Sequence, residues 1–109
     1  YFGSGSRTQD FISCMDVANS ICKVIDKPDI QGIFNIASGD SISMKNLANL
    51  VVSISPSNNM IKVLPTGKDD DQENYRAKFD ISKAQKLLCW TPVVKLDKGI
   101  HDFFKGYLL

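Results

Sequence analysis

Phosphoryl oxygens are held by cations and N–H donors, and an arginine presents a planar fork to two of them at once. Arg7 and Arg76 are the arginines of this chain. Arg76 lies in Tyr75–Phe79 (YRAKF), where apolar and polar residues alternate, so in a period-two strand it can simply face solvent. Just before it, Asp69-Asp70-Asp71 repels anions and reads as part of an exposed, solvated loop, Pro65 to Asn74. The thiols are Cys14, Cys22 and Cys89, an odd number with no C-x-x-C pair, so reduced thiols are expected rather than a disulfide framework. Cys22 falls on the apolar face of a predicted helix, which points to core packing. The single histidine, His101, stands beside Asp102 on a predicted helix and reads as a surface residue. No ligand spacing suits zinc, so no metal is expected. Gly3-Ser4-Gly5-Ser6 follows no strand, opens no helix directly and has no third glycine, so it is no dinucleotide fingerprint.

The composition sets outer bounds. The chain of 109 residues has one domain's length, or that of a piece of a larger protein, and its start at Tyr1 without an initiator Met favours a piece. With 43% hydrophobic and 23% charged residues it is an ordinary soluble composition that can support one core. Thirteen basic against 12 acidic residues leave a net charge of +1, which argues against nucleic acid or a membrane surface as partner. No apolar run approaches the ~18 residues of a membrane span. No secretory leader is expected, and the expected location is the cytoplasm.

The elements that would position these residues follow from periodicity. Arg7 to Cys14 is expected to be a short strand or extended segment, and Asp16 to cap a helix reaching about Ile25 with Val17, Ala18, Ile21, Cys22, Val24 and Ile25 on a broad buried face. Gly32 to Ala37 (GIFNIA) reads as a buried strand in which Asn35 makes hydrogen bonds to backbone. A second helix starts at Ser43, stapled by Ile42 and Leu47, with Leu47, Leu50, Val51 and Ile54 on its face. Met60 to Leu64 and Tyr75 to Phe79 alternate like strands. Asp80 then caps a helix whose apolar face is Ile81, Ala84, Leu87 and Leu88; it ends before Pro92, with Trp90 plugging the gap to the next element. A last helix runs from about Leu96, with Leu96, Ile100, Phe103, Phe104, Tyr107 and Leu108 on one side. Short strands alternating with three to four helices make the fold class α/β, as an α+β-like small lobe that needs a neighbour to pack against.

Four segments, in order, give the chain a resemblance. Gly3 to Val17 (GSGSRTQDFISCMDV), Gly32 to Gly39 (GIFNIASG), Ser43 to Leu50, and Asp80 to Pro92 followed by Leu96-Asp97-Lys98-Gly99 resemble the C-terminal part of the extended short-chain dehydrogenase/reductases. These are the NAD(P)-dependent sugar-nucleotide epimerases and dehydratases. The resemblance implies that residues 1–109 form the substrate-binding lobe of a Rossmann-fold enzyme. The N-terminal Rossmann domain, with its glycine-rich loop and Tyr-x-x-x-Lys pair, is absent: Tyr75 has Phe79 four residues on, and Tyr1 and Tyr107 also lack the lysine. NAD or NADP is therefore expected in the full-length protein, none in this chain, and no catalytic residue is assigned here.

Where the family places an arginine before its Asp-Phe, this chain has Gln9, with Arg7 two residues earlier. The resemblance implies that Arg7 and Gln9 line a diphosphate site; the other reading is a solvated edge pair. A second family arginine would fall at Asp70, leaving Arg76 as the nearest cation in sequence. The acidic run reads as a solvated loop; the alternative is that it faces an amino sugar or another cationic group. Substrate-binding residues are thus Arg7, Gln9 and Arg76. A family histidine is Ser13 here, and the glycine before the tryptophan is Cys89, which is strained if the helix ends left-handed. The implied partners are a nucleotide sugar and the chain's own Rossmann domain, with a homodimer open. The alternative is a non-catalytic binding or regulatory module derived from the same family.

Overall fold

A short antiparallel ladder ties the start of the chain to its middle. In the computed structural model, which describes residues 1–107, β1 (Thr8–Asp10) pairs with β2 (Ser41–Ser43) in the register Thr8↔Ser43, Gln9↔Ile42, Asp10↔Ser41. On the other side of β1, Thr8 makes an isolated parallel bridge to Arg76: its N–H donates to the Tyr75 carbonyl and its hydroxyl accepts from the Ala77 N–H. The expected strand Arg7 to Cys14 is thus cut to three residues, and Tyr75 to Phe79 contributes one bridge rather than a strand.

The helices follow the caps. α1 (Cys14–Ile25) is capped by Ser13, whose hydroxyl accepts from the Met15 N–H. This corrects the expectation for Asp16, which lies inside the first turn, buried, with its carboxylate committed to distant backbone. β2 runs straight into α2 (Met44–Ile54), where Ser43 is the cap expected from sequence and accepts from the Asn46 N–H at 3.2 Å. After a 3₁₀ turn (Asn58–Met60), Asp80 accepts from the Ser82 N–H at 2.8 Å and opens a short helix that widens into a π turn (Ala84–Leu88). The π turn closes left-handed at Cys89, φ 52° and ψ 41°. α3 (Leu96–Tyr107) then packs on α2, and α1 packs on the π turn. The expected places of Leu108 and of the Tyr107 side chain lie outside the described residues.

The core is small and sits at the corner before Pro92. Ala84, Leu88 and Trp90 are its buried centre, with Ile12, Ile30, Phe34 and Ile36 packed against them. Leu87, expected on the same face, is 44% exposed: the π turn adds residues per turn and rotates it outward. The expected buried face of α1 is corrected too. Cys22 is exposed, and Ile21 and Ile25 are 56% and 71% exposed. Residues 32–37 join no ladder among the described residues; Phe34 and Ile36 pack against the core while Ile33 is 88% exposed. Met60 to Leu64 likewise forms no strand. A strand requires a partner edge, and these segments find none within the described residues.

The principal extents are 52 × 38 × 15 Å and the radius of gyration is 16.8 Å. A compact chain of this length would have about 13 Å. The molecule is therefore flat and more open than a compact domain of its length.

Candidate functional site

The N-terminal turn and the acidic loop are zipped together. The Gly3 N–H donates to the Lys68 carbonyl, Thr66 N–H to the Tyr1 carbonyl, and the N-terminal ammonium to the Leu64 carbonyl. Gly3 makes this close approach at φ 54°, while Gly5, at φ 72°, lies against Tyr1 and Lys45. A Cβ on Gly3 would collide with the Glu73 carboxylate. That carboxylate accepts from the hydroxyls of Ser4 and Ser6 and from the Ser4 N–H. These hydrogen bonds, the Ser4 hydroxyl first, hold the Glu73 carboxyl below its usual range.

Both arginines are drawn into this seam. Arg7 donates from Nε to Asp70 Oδ2 at 2.9 Å and from Nη1 to Gln72 Oε1 at 3.0 Å. Arg76 donates from Nη1 to the carbonyls of Glu73 and Tyr75, and from Nη2 to the Ser6 hydroxyl. Gln9 is two residues further along β1, half-buried in the middle of the ladder. So Arg7 and Arg76 share one surface, with their guanidinium groups turned onto the loop, while Gln9 belongs to the strand. Asp70 differs from the solvated residue expected of an acidic run, because its side chain is only 10% exposed and faces Arg7. Asp69 and Asp71 are exposed, as expected.

Two carboxylates escaped sequence reasoning. Asp10 accepts from the N–H groups of Ser38 (2.8 Å) and Gly39 (2.9 Å), stapling β1 to the turn before β2. Asp16 accepts from the N–H groups of Val93 and Val94. The available signal for the first was the Ser-Gly turn, closed by Gly39 at φ 80°. Asn35 does what its sequence context suggested, donating to the Asp80 carbonyl at 3.0 Å. His101 is an exposed residue of α3 beside Asp102.

Cavities of about 530, 420 and 310 Å³ are present, and none is lined by Arg7, Gln9 or Arg76. Among the described residues no cluster of His, Cys, Asp or Glu could hold a metal, and no helix is long and apolar enough to cross a membrane. The glycines at the start do not fit a dinucleotide. They open no helix, and the Glu73 carboxylate already occupies their neighbouring hydroxyls, where it would repel a pyrophosphate. What this surface can do is hold one loop against the chain's start through charged hydrogen bonds, with an arginine at each end.

No protein-family model matches the chain. It is 33% identical over 100 residues to UDP-glucuronic acid decarboxylase 1 of Danio rerio, covering 92% of this chain and 23% of that protein. The chain spans about a quarter of the length of the curated relatives it matches. Among solved structures it superposes on UDP-N-acetylglucosamine 4-epimerase from Methanobrevibacter ruminantium M1 in complex with UDP-N-acetylmuramic acid, with TM-score 0.84 and 20% identity, over 99% of this chain and 34% of that one. It also superposes on UDP-glucose 4-epimerase with UDP-glucose from Thermotoga maritima, with TM-score 0.80 and 23% identity, over 100% of this chain and 35% of that one. The chain matches the C-terminal part of an extended short-chain dehydrogenase/reductase, the family of the NAD-dependent nucleotide-sugar epimerases and dehydratases.

Proposed function

We propose that residues 1–109 are the substrate-binding lobe of an NAD(P)-dependent nucleotide-sugar epimerase or dehydratase of the cytoplasm. The lobe closes over the sugar nucleotide. A Rossmann domain outside these residues holds NAD or NADP and carries out hydride and proton transfer. The observation that carries this reading is the open construction of the molecule. It is a flat body, 15 Å in its shortest extent, with an exposed apolar helix face on α1 and a segment at residues 32–37 that lacks a ladder partner among the described residues. An open body with such a face is one side of a larger one. Arg7 and Arg76, together with Gln9 of β1, are the residues proposed to face the diphosphate. For Arg7 this requires its guanidinium to exchange Asp70 for phosphoryl oxygens.

Calorimetry of the intact protein with a panel of nucleotide sugars tests the site. Arg7→Ala is expected to weaken whichever sugar nucleotide binds. Affinity unchanged for every one that binds removes Arg7 from the site.

A second reading is favoured by one observation: Arg7 is paired with the Asp70 carboxylate. A non-catalytic binding or regulatory module of the same family would retain the lobe with its cation neutralised. The two readings separate on the residues preceding Tyr1 in the gene. A glycine-rich loop and Tyr-x-x-x-Lys there support the enzyme, and their absence there supports the module.

A further inference from the structure

Lys27, just past the end of α1, reaches across to the end of the π turn. Its Nζ donates to the Leu87 carbonyl at 2.9 Å and to Cys89 Sγ at 3.2 Å. The first bond fixes the amine beside carbonyls that a helix end leaves unpaired. The second sets nitrogen directly against sulfur. Among the described residues no other thiol has an amine partner, although Cys14 and Cys22 are exposed as well. Cys89 is also the described non-glycine residue with positive φ. A glycine would hold that conformation without the Cβ clash, and a strained residue of this kind is a place to look for a side chain with a use. The thiol is exposed, so a small oxidant reaches it.

We propose that Cys89 and Lys27 form an oxidation-dependent sulfur–nitrogen link that locks α1 to the π turn. The oxidant is a peroxide. It converts the Cys89 thiol to a sulfenic acid and leaves one water. The Lys27 amine, after giving its ammonium proton to solvent, attacks that sulfur. The S–N bond forms, the S–O bond breaks, and the hydroxyl departs with an amine proton as a second water. In sum, one thiol, one amine and one peroxide give one sulfenamide and two waters; sulfur gives up two electrons and the peroxide gains them. The link would fix the orientation of α1, and with it the exposed face that includes Ile21 and Ile25.

The test is peroxide treatment of the intact protein, followed by proteolytic mapping in a mass spectrometer. The expected product is a pair of joined peptides containing Lys27 and Cys89, lighter by two hydrogens than their sum and released by dithiothreitol. Lys27→Arg, which keeps the charge, is expected to lose the joined species entirely and to expose the sulfenic acid to a dimedone trap. Far-UV circular dichroism checks that the variant is folded. Four outcomes overturn the proposal: oxygen added to Cys89 with Lys27 unmodified, the same loss of two hydrogens persisting in Lys27→Arg, a disulfide from Cys89 to Cys14 or Cys22, or an unreacted Cys89 while the other thiols oxidise.

Discussion

Trp90 donates its indole N–H to the main-chain carbonyl of Asp16 across 3.1 Å, and the Asp16 carboxylate in turn accepts from the N–H groups of Val93 (3.1 Å) and Val94 (2.9 Å). One residue of α1 thus holds both sides of the Pro92 corner, from 74 to 78 positions away in sequence. Asp16 is 2% exposed, so removing its carboxylate strands two N–H donors. Asp16→Ala is expected to cost about 1.5–3 kcal/mol in urea unfolding. Asp16→Asn should cost less, because its amide oxygen still serves one donor. Both variants unfolding at the wild-type midpoint would show that the clamp contributes nothing.

Adjacent leucines offer a controlled comparison. Leu88 is fully buried in the core and Leu87 is 44% exposed. Leu88→Ala is expected to cost about 2–5 kcal/mol through lost transfer energy and the cavity left behind. Leu87→Ala should cost under about 1 kcal/mol. Equal losses in thermal unfolding would mean that the π turn does not rotate Leu87 outward.

The left-handed Cys89 is a further stability lever. Cys89→Gly and Cys89→Ala both remove the sulfur contact to Lys27, so the difference between them reports the backbone alone. The glycine variant is expected to be more stable than the alanine variant by about 1 kcal/mol. An alanine variant as stable as the glycine one would rule out backbone strain at this position.

These tests fall where sequence and structure agree unevenly. The Ser43 cap and the Asp80 cap were legible because a cap is local: the side chain and the N–H it serves lie within three residues. Trp90 as core was legible because Pro92 forces a corner that a large ring must fill. Asp16 was not legible, since its partners Val93 and Val94 are distant and an acidic residue at a helix start looks like an ordinary cap. The strand expected at 32–37 is a short apolar run and the one expected at 60–64 alternates, but pairing is decided by a partner edge that the described residues do not supply. The same holds for α1, whose apolar residues mark a real face with nothing described against it. At the site, the arginines were picked out by their chemistry. The engagement of Arg7 by Asp70 and Gln72, and of Arg76 by Ser6, depends on a loop folding back more than sixty residues later.

The clasp at Glu73 is expected to open in acid. Its pKa is lowered from 4.5 by the hydroxyls of Ser4 and Ser6, so the folded state favours the carboxylate. A depressed folded pKa contributes stability that is present above 4.5 and is lost as pH falls through the folded value. Amide hydrogen exchange at Ser4 and Ser6 should therefore accelerate, beyond its intrinsic pH dependence, as pH drops below 4.5. Glu73→Gln should abolish that step. A step that persists in Glu73→Gln would assign the transition to another carboxylate.

The Arg7–Asp70 pair can be read by a double-mutant cycle and by ligand titration together. Its side chains are 22% and 10% exposed, so solvent screens the pair only in part. Arg7→Ala, Asp70→Asn and the double variant are expected to give a coupling of about 1 kcal/mol in unfolding experiments. Binding then separates two roles that stability cannot. Where Arg7 must leave Asp70 to meet a diphosphate, Asp70→Asn releases it and a nucleotide sugar binds more tightly, while Arg7→Ala weakens binding. Where the pair serves only to hold the loop against the chain's start, both substitutions loosen the same seam and move affinity in the same direction. Opposite signs from the two variants support a substrate-facing Arg7, and equal signs make the ion pair a structural clasp.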